Sequence, residues 1–231
     1  MHMTAQRSTI PRQPLKSDGG GGIFDKKAQF ELRRKTLIAE AARVFNKQGF
    51  ANASLDDISA NLRITKPALY HYFKSKDELL FECFVMSFDF ADEAVAYANK
   101  NGTTGCEKLK LYIKRHLEIG LSEEFPTITA REQDVLSAEY SERITQRRRK
   151  RRNHLRRFVE EGIKDASIQA IDPKIAIMIV NGAISWLFRV FVPDQPYTAD
   201  QISDHYVEIL VNGIAARKAD SKPAVRKRKE S

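Results

Sequence analysis

SLDDISANLRITKPALYHYFKSK, residues 54–76, lays out two short helices joined by a tight turn and followed at once by a third. That order suits a helix-turn-helix, in which the second helix reads the major groove of DNA. Ser54 can cap the first helix with Asp57 in the capping-box position, and Leu55, Ile58 and Leu62 supply an apolar stripe at helical spacing. Thr65 can cap the second helix, where Pro67 falls in the first turn and breaks no hydrogen bond. Ser75 with Glu78 repeats the capping-box pattern and predicts the start of the next helix. Leu69 and Phe73, four apart, can hold the second helix on its neighbours, which turns Thr65, Lys66, Ala68, Tyr70, His71 and Tyr72 towards or beside the outer surface. A lysine and phenolic hydroxyls there suit phosphate oxygens. Each aromatic taken alone also reads as an ordinary core or surface residue; the caps and the spacing together favour DNA.

Charge is distributed in the same sense. The 231 residues carry a formal net charge of +9, yet 26–80 hold +5 and 217–231 another +5, against −2 over 81–216. A positive segment of this kind binds nucleic acid by releasing counterions from phosphates. Residues 1–25, with two prolines and the run Gly19 to Gly22, are expected to form a disordered tail. Arg7, Arg12 and Lys16 either reach along a groove from that tail or do nothing there. Residues 217–231, with Arg226 to Lys229, read as a solvated basic tail. The sequence holds no run of 18 uncharged apolar residues and no signal-peptide core, so a soluble, cytoplasmic protein is expected. Cys83 and Cys106 form no C-x-x-C pair and are expected simply to be buried.

The helix-turn-helix residues resemble those of TetR-type transcriptional regulators, whose N-terminal signature is close to T-x-x-D-I-A, a turn, then S-x-x-x-L-Y-x-Y-F-x-S-K-E-x-L. Ser54, Asp57, Ile58, Thr65, Leu69 and Tyr70 stand in the corresponding places, as do Tyr72, Phe73, Ser75, Lys76, Asp77 and Leu79. Lys35 to Phe50, ending NKQGF, resembles the first helix of that family. The resemblance implies that Lys66 to Tyr72 enters the major groove, with Ser54, Tyr70, Tyr72 and Lys76 on phosphates. It places Thr65, Lys66 and His71 nearest the base edges, with Ala68 on the same face. Two positions depart from the pattern. Leu62-Arg63 replaces the common Ala-Gly of the turn, so Arg63 is expected to be left-handed at a cost of about 1 kcal/mol, unless the turn is rebuilt. Pro67 stands where relatives often carry glycine, which adds bulk and removes a donor near the DNA.

Beyond Lys76 the periodicity predicts helices near 76–99, 106–120, 139–167, 173–191 and 199–218, with a short one near 127–136 and no strand alternation. The fold class is therefore all-α, with a three-helix DNA-binding domain at 26–80 and a helical ligand-binding and dimerisation domain at 81–216. Asp172-Pro173 is a strong helix start, and Thr198 can cap the last helix. Stripes of apolar or small residues run along the last two helices: Ile175, Ile179, Gly182, Ala183, Trp186 and Val190 on one, Ile202, Tyr206, Ile209, Leu210 and Gly213 on the other. The short connection between them predicts an antiparallel pair. The stripes are either intrachain core or, as the resemblance implies, a homodimer interface that pairs two helices from each subunit through Ile179, Ala183, Trp186, Ile209, Leu210 and Gly213. A single recognition helix covers little DNA, whereas a two-fold dimer engages both halves of a palindromic operator.

Arg147 to Arg152, RRRKRR, lies inside an amphipathic helix with Arg156 and Arg157 close behind. Extending the apolar series Ile144, Leu155, Phe158, Val159 and Ile163 at helical spacing puts Arg148, Arg151 and Arg152 on or beside the inward face. Inward arginines need carboxylates, phosphates or water. The run is thus either a solvated face paired with Glu139 and Glu142, or partly the lining of a site for an anionic small-molecule effector. Tyr140-x-x-x-Ile144, Glu161-Gly162, Asp172-Pro173 and Gly182-x-x-x-Trp186 resemble the ligand domain of TetR-type repressors that respond to acyl-CoA thioesters. That resemblance implies an apolar channel for the acyl chain, basic residues for the phosphates, and Trp186 beside the ligand. A hydrophobic drug or an aromatic acid remains the alternative effector.

Other function classes fit less well. His116 with Glu118, or Asp204 with His205, could be proposed as acid–base pairs, but neither has a catalytic or metal spacing, and Gly19 to Gly22 has no phosphate-loop context. Neither an enzyme, a cofactor nor a metal is expected. Non-specific nucleic-acid binding is the competing reading from another class, and it predicts salt-sensitive binding indifferent to sequence. The leading reading is a ligand-responsive regulator, with the helix from Lys76 as connector between the DNA-reading and ligand-binding parts.

Overall fold

The structure, a computed structural model, describes residues 23–122, 127–128, 136–191 and 196–213. Its elements are α1 (Ile23–Gln48), α2 (Leu55–Asn61), α3 (Lys66–Tyr70), α4 (Lys76–Asn101), α5 (Gly105–Gly120), α6 (Ala138–Lys164), α7 (Pro173–Val190) and α8 (Ala199–Asn212). No strand occurs among the described residues, and the fold is all-α. The described residues up to Lys35 form one compact unit and those from Thr36 onward a second. α1 begins at Ile23, well ahead of the expected Lys35 and inside the stretch expected to be a tail. The arginines and lysine of that tail, most of the short helix near 127–136 and the chain beyond Gly213 lie outside the described residues.

Local capping chemistry starts α2 and α3. Ser54 Oγ accepts from the Asp57 N–H at 3.0 Å while the Asp57 carboxylate accepts from the Ser54 N–H at 3.2 Å, closing a capping box. Thr65 Oγ1 accepts from the Ala68 N–H at 3.3 Å, with Pro67 in the first turn of α3. Between α2 and α3, Arg63 is left-handed at φ 54, where glycine carries no steric penalty and an arginine costs about 1 kcal/mol. The start of α4 differs from a capping box. Ser75 Oγ accepts from the Glu78 N–H, but the Glu78 carboxylate reaches one residue further back, to the Lys74 N–H at 2.6 Å. α3 ends at Tyr70 rather than Tyr72 because its last turn tightens, with the Tyr72 and Phe73 N–H groups both donating to the Leu69 carbonyl.

Two apolar cores follow. The first joins Leu37, Phe45, Ile58, Leu69 and Phe73 of the α1–α3 region to Leu79–Phe88 of α4 and Ile144 of α6. The second gathers Ala94–Ala98 of α4, Leu109–Leu117 of α5, Leu155–Val159 of α6 and Ile177–Leu187 of α7. α4 runs through both, as a connector must. Gly105 and Gly162 let α5 and α6 approach closely: a Cβ on Gly105 would stand 2.0 Å from the Gly162 nitrogen. The start of α5 is tied there, as the Asp165 carboxylate accepts from the Gly105 N–H at 2.8 Å and Ser167 Oγ from the Cys106 N–H at 3.1 Å. Cys83 and Cys106 are both buried, and burial pushes their thiols up in pKa.

The last two helices pack differently from the expected pair. α7 lies principally on α6, while α8 lies principally on α5. α7 buries Ala176, Ile177, Val180, Ile184 and Leu187, so its predicted stripe is the opposite, outward face. The α8 stripe divides: Ile202 and Tyr206 turn into the second core, while Ile209 and Gly213 stay exposed. A period of 3.6 over so short a helix spreads five apolar positions over more than one face.

Candidate functional site

α3 presents the DNA-facing candidates as one surface. Leu69 and Phe73 are buried, whereas Thr65, Lys66, Ala68, Tyr70 and His71 are exposed and Tyr72 is half-buried against the first core. Tyr70 keeps 47% of its surface. Lys66 Nζ bonds the exposed Asp56 carboxylate at 2.8 Å, and that hydrogen bond and charge raise its pKa. A phosphate would compete with Asp56 for that ammonium. Ser54 Oγ is engaged as the α2 cap, and Lys76 Nζ sits 4.3 Å from the Phe50 ring centre and 3.5 Å from the Ala51 carbonyl. Both are half-buried at the base of the face rather than on its crest.

A cavity of about 460 Å³ opens between α4, α5, α6 and α7, within the roughly 300–1,000 Å³ of small-molecule sites. Arg148, Arg151 and Arg152 all line it, as the phase of the α6 apolar series predicts. Phe84, Phe88, Ile128, Ile184 and Phe188 supply its apolar wall, and Ser87, His116, Thr127, Asn181 and Ser185 further polar groups. Trp186 does not line it: the ring points from the exposed face of α7, one position round the helix from Ser185, and keeps 59% of its surface. The helical step of about 100° separates these neighbours.

The basic helix is sorted by partner. Arg147 bonds Asp89 at 2.7 Å and Asp92 at 3.0 Å, both on α4. Arg156 pairs with Glu160, and Arg143 reaches Glu139 at 3.9 Å; Glu142 takes Gln146 rather than an arginine. Among the described residues no carboxylate stands within 4 Å of Arg151 or Arg152, while Arg148 has polar or ring contacts of its own. Burial, and then repulsion from Arg151 and Arg152, lowers the Arg148 pKa. The Arg148 and Arg151 guanidinium carbons stand 5.9 Å from the Phe84 ring centre and 5.7 Å from that of Phe88, respectively.

His116 is a cavity residue to which the sequence assigned no role, its pairing with Glu118 having been set aside. Its partner is not Glu118 but Tyr112, one turn back, whose hydroxyl lies 2.9 Å from His116 Nδ1. Burial, and then the positive charge of Arg151, lowers the His116 pKa to about 3, so its ring is neutral. Burial likewise pushes the Tyr112 phenol up to about 12. The signal was present as a lone histidine on the buried stripe Leu109, Tyr112, Ile113, His116 and Leu117. Asp204 pairs with Lys114 at 2.7 Å rather than with His205.

Outside the cavity, α7 and α8 leave an apolar surface. Ile175, Met178, Ile179, Trp186 and Ile209 are each more than half exposed, and nothing approaches a Cβ placed on Gly182 within 4 Å. Ala183 and Leu210 are half-buried and Gly213 is exposed. α7 is long and apolar enough to cross a membrane by length and composition, yet its inner face is part of the second core.

Residues 37–83 match the model of bacterial regulatory proteins of the tetR family, and residues 102–214 match that of the tetracyclin repressor-like C-terminal domain. The chain belongs to the TetR family of transcriptional regulators. The fatty acid metabolism regulator protein of Bacillus subtilis (strain 168) is 25% identical over 181 residues, covering 77% of this chain and 93% of that protein. The TetR family regulator PfmR from Thermus thermophilus is 25% identical at a TM-score of 0.67, over 76% of this chain and 97% of that one. AibR, solved in complex with isovaleryl coenzyme A and operator DNA, is 25% identical at a TM-score of 0.66, over 78% and 98%. α2 and α3 are thus the helix-turn-helix of a TetR-type DNA-binding regulator, and the reading of the chain as a non-enzyme follows from that membership. Proteins of this family bind operator DNA as dimers and answer to small molecules.

Proposed function

We propose that this TetR-type regulator represses transcription from a palindromic operator as a cytoplasmic homodimer, and that an acyl-CoA thioester entering the α4–α7 cavity releases it. The observation that carries the reading is the meeting of Arg148, Arg151 and Arg152 on one cavity wall whose opposite side, Phe84 and Phe88, belongs to α4. Arginine suits phosphate and carboxylate oxygens because its planar fork makes paired hydrogen bonds. α4 starts directly after the DNA-reading helix, so a ligand that prefers one setting of α4 changes operator affinity through that preference. The name of the Bacillus subtilis relative and the isovaleryl coenzyme A bound to AibR lend support.

In this reading Thr65, Lys66, Ala68 and His71 approach base edges, and Ser54, Tyr70, Tyr72 and Lys76 hold phosphates. Ile179, Ala183, Trp186, Ile209, Leu210 and Gly213 form the dimer interface, which assigns Trp186 to the partner subunit rather than to the ligand. The same clustering favours a second effector class. Arg148, Arg151 and Arg152 span little more than one helical turn, near enough in the chain to share one anionic group, while Phe84, Phe88 and Phe188 offer rings; a free aromatic acid meets both features. A cationic drug does not.

The test is footprinting of the purified protein on the DNA upstream of its own gene, with acyl-CoAs, the matching free acids, aromatic acids and coenzyme A. Release by thioesters alone supports the first reading, and release by free aromatic acids the second. A specific footprint that no anionic compound alters removes both.

A further inference from the structure

Part of the cavity wall is polar in a way that a plain hydrocarbon chain cannot answer. Tyr112 is fully buried and its hydroxyl has His116 Nδ1 at 2.9 Å as partner. Since a buried phenol must donate, the bond runs from the Tyr112 O–H to Nδ1, and the neutral imidazole carries its proton on Nε2. His116 is 3% exposed and lines the cavity, and Nε2 has no hydrogen-bond partner among the described residues. Arg151 and Thr127 also line the cavity, and Arg151 Nε and Thr127 Oγ1 are buried without a partner among the described residues.

These groups share one neighbourhood. The charge of Arg151 acts on both Tyr112 and His116. Phe188 stands edge-on to His116 with ring centres 5.3 Å apart, and a Cβ built on Gly120, one turn beyond His116, would come 2.5 Å from Phe188 and 2.9 Å from Thr127 Oγ1. His116 Nε2–H and Arg151 Nε–H can only donate, and the Thr127 hydroxyl can donate as well. Arg152 is exposed, whereas His116 is buried and Arg151 and Thr127 are half-buried.

We propose that the cavity selects an effector whose acyl part carries a carbonyl-type oxygen, a ketone or a second carboxylate, at its far end, held by His116, Arg151 and Thr127. This rests on the acyl-CoA reading and narrows it. Methylenes packed against these three donors leave each of them desolvated without a bond, a penalty that an oxygen acceptor removes. Sites of this kind discriminate strongly against analogues that lack the polar group.

Calorimetric titration of the full chain with short- to medium-chain saturated acyl-CoAs and with counterparts bearing a ketone or carboxylate at the chain end tests it. One oxygenated series should bind at least about tenfold more tightly than its saturated match. That ratio should collapse towards one in Thr127→Val and in His116→Phe, and be retained in His116→Gln, which keeps a donor; circular dichroism confirms that each variant is folded. Saturated thioesters binding as well as both oxygenated series would overturn the inference while leaving the acyl-CoA reading intact. A preference undiminished in His116→Phe and Thr127→Val would also overturn it. If no thioester binds, both fall together.

Discussion

The guanidinium carbon of Arg151, on α6, stands 5.7 Å from the centre of the Phe88 ring, on α4. This pair joins the cavity to the helix that begins at the DNA-reading head. A second tie lies beside it, where Arg147 bonds Asp89 and Asp92 of α4. An effector that draws the α6 arginines towards an anion therefore acts directly on α4, and a shift of that helix carries to α3 through the first core, which holds Leu69, Phe73, Leu79 and Phe84 together. Coupling of this sort needs only a difference in effector affinity between the two settings of α4.

Arg151→Gln should separate sensing from DNA binding. Loss of a charge-assisted contact is expected to raise the effector Kd about tenfold or more, while operator affinity without effector changes by less than about threefold, since Arg151 lies outside the DNA-reading surface of α3. Fluorescence anisotropy of labelled operator, with and without thioester, reads both quantities.

Tyr70→Ala should do the reverse. The side chain is nearly half exposed and outside both cores, so the melting temperature should hold within a degree or two, while operator affinity falls by about 1–3 kcal/mol. Lys76→Ala should lower the slope of log Kd against log salt by about one. An unchanged slope would mean that Lys76 holds no phosphate in the complex.

Ile179→Asp combined with Ile209→Asp should give a monomer by light scattering, because it places carboxylates at the centre of the apolar outer face of α7 and α8. Operator affinity should drop by roughly 10²-fold or more as the two half-sites cease to be bound together. A dimer of undiminished stability would place the interface elsewhere.

Much of this was legible in the sequence because the chemistry is local. Ser54, Thr65, Asp172 and Thr198 cap the helices they were expected to cap, since a cap involves only the next three residues. The left-handed Arg63 followed from the missing glycine of the turn. The phase of Ile144, Leu155 and Phe158 was enough to bring Arg148, Arg151 and Arg152 to one wall. What escaped depends on distant segments. Asp89 and Asp92, rather than Glu139 and Glu142, hold Arg147, and no periodicity in α6 points to residues of α4, so remote in the chain. Thr127, Asn181 and Ser185 join the cavity from other elements, and the preference of α8 for α5 is a tertiary choice that its own stripe does not express.

Acid should weaken the fold through His116. Burial lowers its pKa to about 3, against an ordinary value of 6.5, so below pH 6.5 the unfolded chain binds a proton that the folded one refuses. The stability this group contributes is complete above about pH 6.5 and is lost progressively as pH falls towards 3. Thermal melts between about pH 8 and pH 4 should show a decline that is shallower in His116→Gln, and equal slopes would contradict the neutral buried imidazole.

The proposed mechanism sets one effector against one operator through α4. It is tested most directly by measuring the operator Kd with and without saturating acyl-CoA, and the acyl-CoA Kd with and without saturating operator. Linkage requires both to rise by the same factor, which should fall at roughly 5–150. An operator Kd that stays constant as thioester saturates the cavity would contradict it.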